Sequence, residues 1–314
     1  MTSTEINVTS ATALQNHIAQ TIKTLDYSID RTNLFKGATH ILLNVFPDWS
    51  EQELEFFEIT SGLTNKLVKV TNKKTGFEAL VRTYGNNSEI FIDREKEILN
   101  VVALSILGFA VPLYAKFNNG TVYGYIPGEA FAQHDLKDPN KSALVAKHLA
   151  KLHRVNIAGP KKPILFDKIR VWLNQGVLPR RTTRKKQLSG EHENSVAFID
   201  FEYGGYNYRG FDIGNHFNTF AGWQCDYSLY PTKEFQLVWL RHYLSSFHPE
   251  TEVTDAEVED LYREVAKFRL ASLFYCSVWT LLSSEISDIK YDFMEYAVRA
   301  LREYYQIRDE VLAL

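Results

Sequence analysis

Hydrophobic residues between positions 51 and 127 come in short runs separated by turn-forming residues, a pattern typical of strands. Asn72–Gly76 and Asn118–Gly120 each join two such runs and favour hairpins. Between Ile90 and Leu107 the apolar spacing changes to that of a helix. We therefore predict a small lobe with an antiparallel sheet and one helix. Its strands are predicted at Phe56–Ile59, Lys66–Thr71, Ala79–Thr83, Val111–Phe117 and Val122–Ile126.

The pattern changes after Pro127 and Gly128, which break the last strand and mark a hinge. The apolar residues beyond it recur at i, i+3, i+4 and i+7, as on one face of a helix. Ahead of the strands, the chain is polar apart from a predicted helix around His40–Phe46. We predict an α+β chain with a helical lead-in over residues 1–50, an N-terminal lobe over 51–127 and a mainly helical C-terminal lobe over 128–314.

Charge and cysteine content indicate which binding partners and which cellular compartment to expect. The 314 residues are 45% hydrophobic and carry a net charge of -3, which allows a large core and gives no global attraction to nucleic acid or anionic membranes. No apolar run approaches the roughly 20 residues of a membrane span, and the first residues lack a signal-peptide pattern. The only cysteines, Cys225 and Cys276, are too few for a disulfide framework. We expect a cytoplasmic protein with no nucleic-acid partner and no stable membrane insertion.

The segment Val196–Phe220 has the organisation of a metal-binding turn. A short apolar strand is predicted to end at Asp200, and a glycine-rich turn then leads into a helix. Mg²⁺ takes hard oxygen ligands, usually one or two carboxylates together with water and nucleotide phosphates. Asp200 is accordingly the residue that we assign to Mg²⁺. The alternative, which spacing alone favours equally, is that Asp200, Glu202 and Asp212 only cap turns and helices.

A second candidate site lies between two predicted strands, at Thr60–Val70. Its small and hydroxyl residues would let backbone N–H groups approach phosphate oxygens closely, although an ordinary hairpin turn explains them better on spacing alone. Arg82, on the next strand, would contact phosphates or pair with a carboxylate such as Glu97, and a solvated surface pair fits equally well. The phosphate-loop residues are Ser61, Gly62, Thr64 and Asn65.

Six motifs carry a stronger signal together than any of them does alone. They are SGLTNKL at 61–67, VRTYGN at 81–86, IDRE at 92–95, YIPGEA at 125–130, LAKLHRV at 149–155 and IDFEYGGYNYRGFDIGNHFN at 199–218. In this order and spacing they resemble the choline/ethanolamine kinases, and the resemblance covers nearly the whole chain from about residue 55. FNNG at 117–120, and FAG followed by DYSLYP at 226–231, are closer to the ethanolamine kinases of the family than to its choline kinases.

The resemblance implies a two-lobed, protein-kinase-like fold with ATP between the lobes and Mg²⁺ bridging its phosphates. The reaction would be phosphorylation of ethanolamine to phosphoethanolamine, the first step of the CDP-ethanolamine route to phosphatidylethanolamine. Tyr203 and Trp279 match positions that line the family's amine pocket, where ring faces attract an ammonium group; core aromatics are the alternative. The nucleotide site would consist of Ser61, Gly62, Thr64, Asn65, Arg82, Gly124, Tyr125, Ile126, Pro127 and the metal ligand Asp200.

The chain departs from the family between Val155 and Val196, where the catalytic loop H-N-D-x-x-x-x-N is missing. In the family its aspartate accepts the proton of the substrate hydroxyl and its asparagine contacts a second metal, so no catalytic residue is assigned. The missing stretch would also include a strand beside Val196–Phe201 and at least one helix. We therefore predict an incomplete C-terminal lobe with a deletion near residues 180–195. The basic residues at this junction read as a solvated loop: Arg180, Arg181, Arg184, Lys185 and Lys186.

Three functions stay open at this point. The first is an ethanolamine kinase; the second is an inactive pseudokinase or truncated isoform that binds nucleotide or an intact kinase partner; the third is a choline kinase. Cys276 stands where the family usually has a tryptophan, three residues before the one matching Trp279. A looser aromatic cage favours a primary amine, which donates hydrogen bonds, over a quaternary one. A homodimer is also left open.

Overall fold

The computed structural model describes residues 8–59, 65–85, 88–174, 196–286 and 291–314. Its strands lie in the N-terminal part of the chain and most of its helices follow them, as predicted. The strands are β1 (Lys23–Leu25), β2 (Leu54–Ile59), β3 (Lys66–Asn72), β4 (Glu78–Thr83), β5 (Leu113–Phe117) and β6 (Gly120–Gly124). The α-helices are α1 (Ala11–Thr21), α2 (Leu34–Val45), α3 (Arg94–Ile106), α4 (Pro139–His153), α5 (Leu165–Asn174), α6 (Arg209–Asn218), α7 (Lys233–Phe247), α8 (Asp255–Ile286) and α9 (Phe293–Leu312).

One mixed six-stranded sheet forms the N-terminal lobe, in the order β1-β5-β6-β4-β3-β2. The five predicted strands are present and pair antiparallel with one another. The sequence analysis missed β1, which runs parallel to β5, so the sheet is not wholly antiparallel and the predicted lead-in contributes a strand to it. A strand of three residues carries too little alternation to be found from pattern alone.

The β3–β4 hairpin shows how local chemistry sets the register of this sheet. Oδ1 of Asn72 accepts hydrogen bonds from the backbone N–H groups of Lys74 at 2.9 Å and Thr75 at 3.1 Å. Gly76 then takes a positive φ of 70°, which glycine adopts without steric cost. The turn therefore closes on its own side chains and places Arg82 opposite Leu67 of β3.

The C-terminal lobe is built around α8, which packs against α6, α7 and α9. Its core also takes residues from α4, and includes Leu149, Phe217, Trp239, Leu240 and Val265. Within the described ranges, α8 alone is long and apolar enough to cross a membrane. Because 56% of its most apolar 18-residue window is buried in the fold, it has the character of a core helix.

The predicted strand at Val196–Phe201 is wrong. Residues 196–200 have no regular secondary structure, and a 3-10 turn covers Phe201–Tyr203. A strand needs a neighbour to satisfy its backbone hydrogen bonds, and every strand pair of the described chain belongs to the N-terminal sheet. The sequence motif was therefore identified correctly, whereas its strand conformation depends on a partner that the described residues do not supply.

Candidate active site

A cavity of about 1060 Å³ is lined by residues of α3, α5, α6 and α8 and by the segment from Ile199 to Asn207. This volume lies at the upper end for small-molecule sites. Asp200, Tyr203 and Trp279, which were predicted to hold the metal and the amine, all line it. Asn65, Arg82 and residues 124–127 do not. The structure thus brings the predicted metal and amine residues into one cavity and leaves the predicted nucleotide residues outside its wall.

Asp200 begins a tight turn that separates two carboxylates. Its φ of 70° and ψ of 58° are left-handed, a conformation that is uncommon outside glycine and that Asn and Asp tolerate best. Asp200 is exposed, whereas Glu202, two residues later, is only 5% exposed. The turn therefore presents the first carboxylate to the cavity and sends the second into the interior.

The Asp200 carboxylate fits a magnesium ion that nucleotide phosphates and water complete, because Mg²⁺ is usually held through one or two carboxylates. Across the described ranges, no group of three or more His, Cys, Asp or Glu side chains is arranged as an all-protein metal cage. The capping alternative is wrong for two of its residues. The side chain of Asp200 makes no capping hydrogen bond to the turn that follows it, and the N-cap of α6 is Tyr208 rather than Asp212.

Arg82 lies at the centre of a buried ion cluster between the lobes. Its Nη1 donates to Glu97 Oε1 at 2.7 Å and its Nη2 contacts Glu202 Oε2. Arg94 adds a second guanidinium, 2.7 Å from Glu97 Oε2 and 3.7 Å from Glu202 Oε2. Burial by itself lowers the pKa of Arg82, but the carboxylates of Glu202 and Glu97 outweigh it and raise that pKa. The predicted pair between Arg82 and Glu97 is confirmed. The solvated-pair alternative is wrong, because Arg82 is only 7% exposed.

The other predicted nucleotide residues that the structure describes flank this cluster or the hinge. Asn65 donates from Nδ2 to Glu202 Oε2 at 3.4 Å and accepts the backbone N–H of Gly85 on Oδ1 at 3.3 Å. Gly124 ends β6, and residues 125–127 lead from there towards the C-terminal lobe, with Lys69 Nζ 4.2 Å from the Tyr125 ring centroid. Ser61, Gly62 and Thr64 lie outside the described residues, as do the basic residues near 180–186. Nucleotide contacts at these positions stay predictions.

The two predicted amine-site aromatics contact each other directly. Trp279 Nε1 donates to the Tyr203 hydroxyl at 3.0 Å. Both residues are half-buried and line the cavity, although they also pack against a buried cluster that includes Phe91 and Trp172. The core interpretation is therefore incomplete, because each residue forms part of a core and part of the cavity wall.

The sequence analysis missed a hydrogen-bonded chain of three side chains, two of which line this cavity. His153 contacts Asp212 Oδ2 through Nε2 at 3.1 Å and the Tyr243 hydroxyl through Nδ1 at 2.9 Å. Burial raises the pKa of Tyr243, so this hydroxyl stays protonated at neutral pH. His153 lies in the recognised motif at 149–155, but its partners are 59 and 90 residues away in sequence, and spacing gave no signal of the contact.

A polar wall lies beside the aromatic pair. Asn215 Oδ1 accepts hydrogen bonds from Ser272 Oγ at 2.9 Å and from Cys276 Sγ at 3.6 Å. Burial raises the pKa of Cys276 to about 12, so its thiol stays protonated and is not a nucleophile at neutral pH. Asn215 and the small thiol of Cys276 line this part of the cavity.

Comparison with known proteins points to one family. The profile of the choline/ethanolamine kinase family matches residues 56–190 and 182–305. Human ethanolamine kinase 2 is 34% identical over 327 aligned residues, which cover 91% of this chain and 84% of that protein. A probable ethanolamine kinase of Arabidopsis thaliana is 35% identical, over 89% of this chain and 87% of that protein.

Among solved structures, Plasmodium vivax ethanolamine kinase matches with a TM-score of 0.75 and 22% identity, covering 96% of both chains. That structure shows the shared two-lobed kinase-like fold, and the human and plant relatives extend the similarity over about nine-tenths of this chain. On this evidence the chain belongs to the choline/ethanolamine kinase family.

Proposed function

We propose that this chain transfers the γ-phosphoryl group of ATP to the hydroxyl of ethanolamine. The observation that carries the proposal is the cavity in which the exposed Asp200 carboxylate and the Tyr203–Trp279 pair share one wall. A metal-held phosphate and an ammonium group are the two ends that this reaction must bring together. The names of the human and plant relatives support ethanolamine as the acceptor.

The chain's own residues divide the binding between them. Asp200 would hold Mg²⁺, which neutralises the charge that develops on the transferred phosphoryl group. Asn65, Arg82 and residues 124–127 would contact the nucleotide, together with the predicted phosphate-binding residues Ser61, Gly62 and Thr64. Tyr203 and Trp279 would receive the ammonium end of ethanolamine, whose hydroxyl would then point towards the phosphate.

The missing catalytic loop affects the rate more than the reaction type. Phosphoryl transfer has a loose transition state that depends mainly on positioning and charge stabilisation, whereas a general base contributes roughly 10²- to 10⁴-fold. In this proposal the hydroxyl oxygen bonds to the γ-phosphorus, the bond to ADP breaks and the hydroxyl proton passes to water. The chain would therefore turn over more slowly than relatives that keep the aspartate.

Two alternatives are weaker. The relatives reported above are all named as kinases, so the comparisons do not support a catalytically silent chain. A choline kinase is the weaker candidate because the human and plant relatives are named ethanolamine kinases. The product, phosphoethanolamine, would enter phosphatidylethanolamine synthesis in the cytoplasm.

The test is ADP release by the purified chain with Mg-ATP and ethanolamine, choline or no acceptor. We expect ethanolamine-dependent release that Asp200→Asn lowers at least 100-fold, because the metal ligand is lost. Asp309→Asn is the matched control, since Asp309 is an exposed carboxylate on α9 outside the cavity. A folded chain that binds ATP and releases no ADP with any amine would refute the proposed function and favour the pseudokinase.

A further inference from the structure

Lys168 of α5 places a positive charge against the aromatic part of the cavity. Its Nζ lies 4.9 Å from the ring centroid of Tyr203 and 5.6 Å from that of Trp172. Both distances are within the range of a cation–π interaction. Lys168 is half-buried and lines the same cavity as Asp200. The chain's own ammonium group thus lies against a ring that the proposed function assigns to the substrate.

The Tyr203 ring is held at two points. Its hydroxyl accepts the hydrogen bond of Trp279 Nε1 at 3.0 Å, and Lys168 lies over its face. Each ring has two faces, and a face that already contacts one cation is not available to a cationic ligand. A quaternary ammonium depends on several such faces, since it has no N–H group to donate.

We propose that Lys168 is a specificity-determining residue that disfavours quaternary ammonium acceptors and so selects a primary amine. The inference rests on the proposed function, which locates the acceptor amine at Tyr203 and Trp279. Lys168 repels both kinds of cation equally by charge. The two acceptors differ in what offsets that repulsion.

A primary ammonium has three N–H donors, and the cavity wall offers oxygen acceptors for them. The exposed carboxylate of Asp212 lines the cavity, whereas Asn215 Oδ1 already accepts hydrogen bonds from Ser272 and Cys276. A trimethylammonium group makes no such bonds and is left with fewer ring faces, because Lys168 occupies one face of Tyr203. Removing the charge of Lys168 therefore helps a quaternary acceptor more than a primary one.

The test compares Lys168→Met, Lys168→Arg and Lys233→Met with the unchanged chain. Methionine keeps the apolar stem of Lys168 and removes its charge, whereas arginine keeps the charge. Lys233 is a close geometric control, because its Nζ also lies 4.9 Å from a tyrosine centroid, that of Tyr262, outside the cavity. The readout is the ratio of kcat/KM for choline to kcat/KM for ethanolamine.

We expect Lys168→Met to raise this ratio roughly 3- to 30-fold, the equilibrium equivalent of one cation–π contact. Lys233→Met should leave the ratio unchanged, and Lys168→Arg should retain the preference for ethanolamine. An unchanged ratio in Lys168→Met, or an equal rise in Lys233→Met, overturns the inference.

Binding separates this inference from the proposed function. If the unchanged chain does not turn over, the same ratio is measured from the dissociation constants of ethanolamine and choline by calorimetry. A shift towards choline in Lys168→Met then supports the role of Lys168 although the kinase proposal has failed. Equal dissociation constants for both amines in every variant overturn it.

Discussion

The ion cluster around Arg82 predicts a large and specific loss of stability when that residue is replaced. Arg82→Met keeps the apolar stem of the side chain and removes the charge that Glu97 and Glu202 share. The side chains of these carboxylates are 6% and 0% exposed, so water cannot replace the lost partner. Arg94 still balances one of them, which leaves one excess negative charge in the interior.

Removing one partner of a buried ion pair typically costs about 3–5 kcal/mol, because the remaining charge stays buried without compensation. We expect a fall of that size in the free energy of unfolding, measured by urea denaturation. Arg263→Met is the control, since Arg263 pairs with Asp260 and Glu259 at 44% exposure. An exposed pair contributes at most about 1 kcal/mol.

A double-mutant cycle isolates the charge from the shape of the site. Adding Glu202→Gln to Arg82→Met removes the unpaired charge, so the double variant should be more stable than the sum of the single losses predicts. If Arg82→Met costs less than about 1 kcal/mol, or if the two changes add without coupling, the cluster does not hold the lobes together electrostatically and this reasoning is refuted.

Two further predictions concern single contacts. Trp279→Phe removes the hydrogen bond to the Tyr203 hydroxyl, which contributes about 1 kcal/mol. It should raise KM for ethanolamine several-fold with a smaller change in kcat. An unchanged KM in steady-state assays would argue against the amine site. Burial among Phe217 and Trp239 lowers the pKa of His216 to about 4, so its contribution to stability is complete above about pH 6.5 and is lost as pH falls towards 4. His216→Phe should therefore flatten the acid side of the stability profile by about 2–3 kcal/mol, measured by urea unfolding between pH 7 and 4.

Local features of the fold were predictable from sequence because their causes are local. The turn at Asn72–Gly76 fixes the β3–β4 hairpin through its own side chains, and the helical stripes of α4, α8 and α9 follow from spacing alone. The Arg82–Glu97 pair was within reach for the same reason, since 15 residues separate its members. The positions of these two residues follow from one strand and the helix after it.

The contacts that build the cavity were not predictable in this way. Glu202 reaches Arg82 across 120 residues, and His153 reaches Asp212 across 59. Asp212 was interpreted as a helix cap because its position near the start of α6 suits one, while the actual cap is Tyr208. A carboxylate in a first turn has the same sequence signature whether it caps its own helix or accepts a hydrogen bond from another.

The ion cluster around Arg82 also helps to position Asp200, because the segment before Asp200 forms no strand pair. Residues 196–200 include the proposed metal ligand Asp200 and have no strand partner among the described residues. Hydrogen bonds made by the residues after Asp200 help to hold this region. Glu202 is fixed by Arg82, and the carbonyl of Gly204 accepts a hydrogen bond from Asn100 Nδ2 at 3.1 Å. Both partners belong to the N-terminal lobe, on β4 and α3. Val196 and Phe198 pack against the core of the C-terminal lobe, so the position of Asp200 is coupled to both lobes. A change that loosens Arg82 should therefore also displace the proposed metal ligand.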